Sequence, residues 1–450
     1  MRASWVGWTS LALAVGCSSG ESAAGGGSGS DGPLPGADSG SAMPDDGDTM
    51  GENGGPPIAD PPSSGGGPAG GGAQACTPTD KLDLLFVIDN SSSMQEEQVT
   101  LAAELPRLVQ ILATGDRTPG DASDNEMEGV TFDPVQSLHI AVTTTNMGAV
   151  GNQVPGCMGT GDDGRFISAT STEQQDAGCE ASYPAYLALT ASDDAAANTA
   201  AADALGADFA CVAQLGVAGC GLEQQLEASL KALLPSDATL PNAMGEAEPV
   251  VFHNATSGHG DGPHAGFLRS DSVIGVVIVT DEDDCSIPDT SSDLFNLIDG
   301  EFDGEPLNLR CGTHSADGTL HPIERYSMGL KSLRPDRPEQ VVFAAIAGIP
   351  AELDEGLADG SLSVSDVLAS EAMMFRPDGD PDDENTLPVP SCDTDNGRAF
   401  PPIRIVQTAE QFNEADGPRN GVVRSICRDD YGPAVDAIIE ALSAQLGCLI

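Results

Sequence analysis

Asp89, Ser91 and Ser93 stand at alternate positions directly after the apolar run Leu84-Leu85-Phe86-Val87-Ile88. One carboxylate and two hydroxyls on a tight turn are hard oxygen donors, suited to Mg2+ (or Ca2+ or Mn2+) rather than to a soft metal. A second apolar run, Val276-Val277-Ile278-Val279, ends in Thr280-Asp281. Ligands of an open α/β sheet gather beyond the carboxyl ends of its strands. If the two strands are neighbours, Asp89 and Asp281 therefore face each other across one crevice. The chemistry expected there is capture of a divalent cation, with positions left for water or a ligand.

The elements that must hold these residues follow from the apolar pattern. Strands are expected over Leu82 to Ile88, Leu138 to Thr144, Val273 to Thr280, Val341 to Ala347 and Ile403 to Gln407, with a short edge strand over Gly164 to Ala169. Helices are expected over Met94 to Leu112, Ala185 to Leu215, Leu222 to Leu234, Ile323 to Leu333 and Tyr431 to Leu446. Strands that alternate with helices imply a doubly wound, mainly parallel α/β sheet of the Rossmann-like kind. Long polar loops, including 145–161 and 245–266, enlarge it.

The ends of the chain read differently. Met1 to Val15 has the outline of an export signal, too short to span a membrane permanently, and Ala14-Val15-Gly16-Cys17 follows it. This stretch resembles a bacterial lipoprotein lipobox. The resemblance implies lipidation of Cys17 and, since Ser18 is not aspartate, the outer membrane or cell surface where the source has one. Residues 18–75 are dominated by Gly, Ser, Pro, Asp and Ala, which cannot bury enough surface to offset ordering entropy, so a flexible tether is expected. Residues 76–450 are left as one enlarged domain.

Seventy acids against 18 bases give a formal charge of -52. That excludes a general nucleic-acid binder and disfavours direct docking on anionic lipid, so the membrane is reached only through the lipid anchor. Of eleven cysteines, removing Cys17 leaves ten. None forms a CxxC pair, and an exported chain meets oxidising conditions, so five disulfides are expected. Proximity along the chain suggests Cys157 with Cys179, Cys211 with Cys220, Cys285 with Cys311, and Cys76 with Cys448 closing the domain.

With these residues in view, the chain resembles the von Willebrand factor type A (vWA) domain and its metal-ion-dependent adhesion site. The matching pieces are Asp89-x-Ser91-x-Ser93 and Thr280-Asp281. The resemblance implies that Asp89, Ser91 and Ser93 hold the cation directly or through water, that Asp281 holds it from the far side, and that an acidic group of a protein or surface partner completes the shell. Two departures stand out. Where the family supplies a threonine, this chain has Gly219-Cys220-Gly221-Leu222-Glu223-Gln224. Glu223 is either a substitute ligand or a first-turn acid favoured by the helix dipole. Asp281 is followed by Glu282, Asp283 and Asp284 rather than glycine, an acidic run that either strengthens or duplicates a cation site or forms a solvated turn, the turn being the favoured reading.

Other constellations carry less. His253, His259 and His264 fit no zinc spacing and read as an exposed loop. The acidic stretches 378–383 and 393–397 lack the closing glutamate of an EF-hand. Ser93 has neither a nucleophile elbow around it nor a histidine placed as its base. The expected function is metal-dependent recognition rather than catalysis. The alternatives are a metal-dependent hydrolase and an envelope protein with a purely stabilising cation.

Overall fold

Three strands of this chain have almost no polar alternation because both their faces are covered. In a computed structural model, which describes residues 79–116 and 133–446 apart from positions 155, 158, 243, 395–396 and 415–416, β1 (Lys81–Ile88) is buried beyond its first residue. β2 is Ser137–Thr144 and β3 Leu187–Thr190. β4 (Val273–Val279) and β5 (Val341–Ala347) are buried throughout, and β6 is Gly421–Ser425. They form one six-stranded sheet in the order β6-β5-β4-β1-β2-β3, parallel except for the β2–β3 pair.

Helices flank both faces: α1 (Gln95–Thr114), α2 (Ala195–Ala213), α3 (Gln225–Leu233), α4 (Glu324–Lys331), α5 (Ile403–Glu410) and α6 (Gly432–Leu446). Because side chains of a strand alternate between faces, β1 feeds two cores. Leu82, Leu84, Phe86 and Ile88 pack with α1, α2 and α6. Leu85 and Val87 pack with α3, α4 and α5. This is a mixed α/β sheet wound in both directions from β1, with β2 on one side of it and β4 on the other. A crevice opens at such a switch point, beyond the carboxyl ends of the strands. The described part of the domain closes on itself: the Thr79 amide donates to the Leu446 carbonyl at 3.2 Å.

Several expectations change. Ile403 to Gln407 is the start of α5, not a strand. Its β-branched residues suggested extension, but burial of Arg404, Ile405, Val406, Thr408 and Ala409 follows helical spacing. The last strand is instead Gly421–Ser425. Gly164 to Ala169 makes only an isolated bridge, Ala169 to Ser182, and the edge strand is β3. In β3, Leu187 and Leu189 are buried while Ala188 and Thr190 are exposed, a period of two hidden inside an alanine-rich stretch. The helix expected from Ala185 accordingly starts only at Ala195, where Asp194 caps it.

Among the described residues four disulfides link Cys157–Cys220, Cys179–Cys211, Cys285–Cys311 and Cys392–Cys427. Of the expected pairings that fall among the described residues, Cys285–Cys311 matches. Cys157–Cys179 and Cys211–Cys220 exchange partners, because α2 brings Cys211 back beside the Cys179 turn, where Gln174 Nε2 donates to the Cys211 carbonyl at 2.6 Å. Cys157 and Cys220 meet in a third, smaller apolar cluster with Ile287, Leu294 and Phe295, built wholly from loop insertions. Cys17, the 18–75 segment, Cys76 and Cys448 lie outside the described residues.

Candidate cation crevice

β1 and β4 are direct neighbours, with Ile88 opposite Val279. The Asp89 amide continues the ladder, donating to the Val279 carbonyl at 2.8 Å. Asp89 and Asp281 thus emerge side by side, and both are buried. Asp89 Oδ1 accepts the Ser91 amide at 2.8 Å and Thr145 Oγ1 at 3.4 Å, and its Oδ2 accepts Thr280 Oγ1 at 2.6 Å. Gln225 Nε2 donates to that same Thr280 hydroxyl at 2.9 Å, which fixes its proton toward Asp89. Ser91 Oγ and Ser93 Oγ are 3.1 Å apart, and exposed Ser93 marks where the crevice meets solvent.

The backbone around this turn is held from α1. Gln98 Nε2 donates to the Asp89 carbonyl at 2.8 Å and the Gly216 carbonyl at 3.0 Å, tying the first turn to the loop before α3. The Gly219 amide donates to the Asn90 carbonyl at 2.7 Å. A Cβ at Gly219 would lie 2.1 Å from Asn90 Oδ1, so only glycine permits that approach.

Glu223 closes the third side. It is 1% exposed, and its carbonyl accepts the Cys285 amide at 2.8 Å. Gln224 donates its amide to the Thr145 carbonyl at 3.0 Å and its side chain to the Gly148 carbonyl at 3.0 Å. Asp89, Asp281, Glu223, half-buried Glu282 and, on α1, buried Glu97 therefore share one region.

Their electrostatics are unfavourable as they stand. Burial raises Asp281 to about 9, with Asp89 and Glu282 adding repulsion and the nearby Ser93 hydroxyl offsetting little of it. Ser93 nevertheless lies outside hydrogen-bonding geometry, since both Asp281 oxygens are without a partner. Burial and neighbouring acids push Glu223 well above the carboxylate range. Burial and then Asp89 raise Glu282 to about 7. Asp89 is raised by burial in spite of its hydroxyl and amide donors. Among the described residues no Lys, Arg or His pairs with Asp89, Asp281, Glu223 or Glu282. Glu223 Oε1, both Asp281 oxygens, Gln225 Oε1 and Glu97 Oε2 are buried without a hydrogen-bond partner.

Orphaned buried oxygens are rare in folded proteins and ask for an explanation, an ion among them. The donor set is carboxylate, hydroxyl and amide oxygen, which fits a hard divalent cation. Among the described residues no three Asp, Glu, His or Cys side chains already converge into a cage, so hydroxyls would have to complete the set.

Sequence reasoning brought together Asp89, Ser91, Ser93, Asp281 and Glu223, and all five border this crevice. It missed Thr145, Gln225 and Glu97. Thr145 had a signal: it directly follows β2, the strand beside β1, where a switch-point residue is expected. Glu97 and Gln225 had none, because first-turn polar residues are ordinary on helices.

Two readings of nearby residues are corrected. The acids after Asp281 are not a solvated turn. Asp284 is buried, accepts the Leu226 amide at 3.0 Å at the start of α3, and pairs with Arg404 Nε at 3.1 Å. Asp283 accepts the Arg404 amide at 2.9 Å. The three histidines are likewise buried rather than exposed. His253 Nε2 meets Gln224 Oε1 at 2.7 Å, His259 Nε2 the Asp163 carbonyl at 2.9 Å, and His264 Nδ1 the Ala232 carbonyl at 2.8 Å. Their glycine-rich loop crosses the carboxyl end of α3, where a Cβ at Gly260 would sit 2.3 Å from the Leu233 carbonyl oxygen. The histidines follow the loop inward.

No family model matches the chain, and comparison with curated proteins finds no similar sequence.

Proposed function

We propose that this is a vWA-type envelope protein that holds a divalent cation, Mg2+ foremost, between Asp89 and Asp281, and uses it to recognise a protein or surface ligand. The observation that carries the reading is the uncompensated group of buried oxygens in the switch-point crevice. Asp89, Ser91 and Ser93 would hold the cation from the β1 side, Asp281 from the β4 side, with Glu223 in the place of the family's threonine. The cation would supply a Lewis-acidic point open toward Ser93. The protein's part is to fix the donors: Gln225 and Thr280 orient Asp89, and Gln98 anchors its backbone.

The four disulfides among the described residues accord with an oxidising compartment, and export with lipidation at Cys17 belongs to the same proposal. A purely stabilising cation is the second reading, favoured by the depth of Asp89 and Glu223.

The two separate on partner capture. Immobilised protein, incubated with envelope extract, should retain a partner in Mg2+ and release it in EDTA, and Asp89→Ala should retain none. Capture unchanged by EDTA contradicts metal-dependent recognition.

A further inference from the structure

We infer that Glu223 is the specificity-determining residue of the crevice: it supplies from within the carboxylate that a partner would otherwise bring, so the cation accepts partners offering uncharged oxygens, a hydroxyl or an amide carbonyl, in preference to acidic ones. The inference rests on the cation reading proposed above and goes beyond it in naming the partner's chemistry.

Three observations lead there. First, Glu223 is 1% exposed, and its Oε1 has no protein partner although the residue lies among Asp89, Asp281 and Glu282. A helix-dipole acid would be solvated instead. Second, the residue is not free to swing away. Its carbonyl is bonded to the Cys285 amide, and the next residue is bonded to Thr145, Gly148 and His253. Disulfides Cys157–Cys220 and Cys285–Cys311 fasten the flanking segments on either side. Third, Gln225 is fully buried with Oε1 unpartnered, while its Nε2 holds Thr280. This is a neutral, buried and unpartnered oxygen beside the Thr280 hydroxyl that bonds Asp89, independent of the acids.

The charge count then decides the partner. Asp89, Asp281, Glu223, Glu282 and Glu97 carry five negative charges when ionised around a divalent cation, a local excess of three. A further carboxylate would enter a poorly screened crevice against that excess. A hydroxyl or amide oxygen brings no charge and meets no such opposition.

Mn2+ is the probe. The full chain is loaded with Mn2+, its enhancement of water-proton relaxation is recorded, and sodium acetate is titrated in at constant ionic strength. For wild type, the expected result is an enhancement that acetate leaves unchanged. For Glu223→Gln and Glu223→Thr, acetate should displace cation-bound water saturably, with affinity at least about tenfold above any seen in wild type. Acetate displacing water from wild type as strongly as from the variants overturns this inference and leaves the cation reading standing. Absence of Mn2+ binding to wild type overturns both. The wild-type titration is decisive even if a variant folds poorly.

Discussion

Asp83 and Asp89 lie near opposite ends of β1, and both are fully buried. At Asp83, the Arg269 side chain forks onto the carboxylate, with Nε to Oδ1 at 2.8 Å and Nη2 to Oδ1 at 2.5 Å, and the Arg269 amide adds a bond of 2.7 Å to Oδ2. Asp89 receives two hydroxyls and one amide, but no cationic side chain among the described residues. The same contrast runs through the molecule. Glu227 is met by Arg325 at 2.8 Å, Asp284 by Arg404 at 3.1 Å, and Asp354 by Arg424 at 2.6 Å. Burial alone would raise Glu227, yet Arg325 and its other neighbours hold it below the usual range. With only 18 Lys and Arg in the sequence, basic side chains are scarce, yet each of these four buried acids outside the crevice has a guanidinium. Compensation is built in at the paired sites and left open at the switch point. An uncompensated buried charge is costly, so the open site is where a cation from solution has most to contribute.

The largest expected effect breaks the comparison at its paired end. Arg269→Ala leaves Asp83 buried with only the His139 side chain at 3.5 Å and the Ser272 hydroxyl beside it, and should cost about 3–5 kcal/mol in denaturant unfolding. Asp89→Asn, measured in EDTA, removes a charge that no described residue offsets, and should cost far less or stabilise. Equal losses in the two variants would remove the distinction.

A smaller effect concerns pH. Folding raises Asp281 to about 9, chiefly by burial and then by Asp89, and raises Glu282 and Glu97 to about 7, again chiefly by burial. Groups raised on folding bind more protons in the native state than in the unfolded one. Their contribution is full below the ordinary carboxylate range and is lost as pH rises through about 7 and on toward 9. In EDTA the melting temperature should therefore fall across that window. With saturating Mg2+ the fall should flatten, since the cation supplies the missing charge, and at a hundred times its dissociation constant it adds about 2.7 kcal/mol. Parallel pH profiles with and without Mg2+ would count against a cation among these acids.

The parts of this arrangement that are strongly apolar could be read from the sequence. β1, β4 and β5 are runs that only a strand covered on both faces explains, and an acid directly after such a run falls at the sheet's carboxyl edge. Asp89 and Asp281 were legible for that reason. What escaped reading depends on contacts distant in sequence. α5 is helical because Arg404 and its apolar neighbours pack at helical spacing, Arg404 reaching Asp284, and this overrides local β preference. His253, His259 and His264 looked like loop-surface residues because polarity and glycine mark loops, and nothing local tells whether a loop lies on a helix end. Cysteine pairing by proximity failed where α2 folded the chain back on itself. Glu223 remained open between ligand and helix-dipole acid, and its burial without a partner is what only the fold supplies.

The most direct test of the central claim is calorimetric titration of Mg2+ into the full chain after EDTA treatment and dialysis, beside Asp89→Ala. Saturable binding by wild type and none by Asp89→Ala is the predicted result. No binding by wild type, or binding that survives Asp89→Ala unchanged, would contradict it.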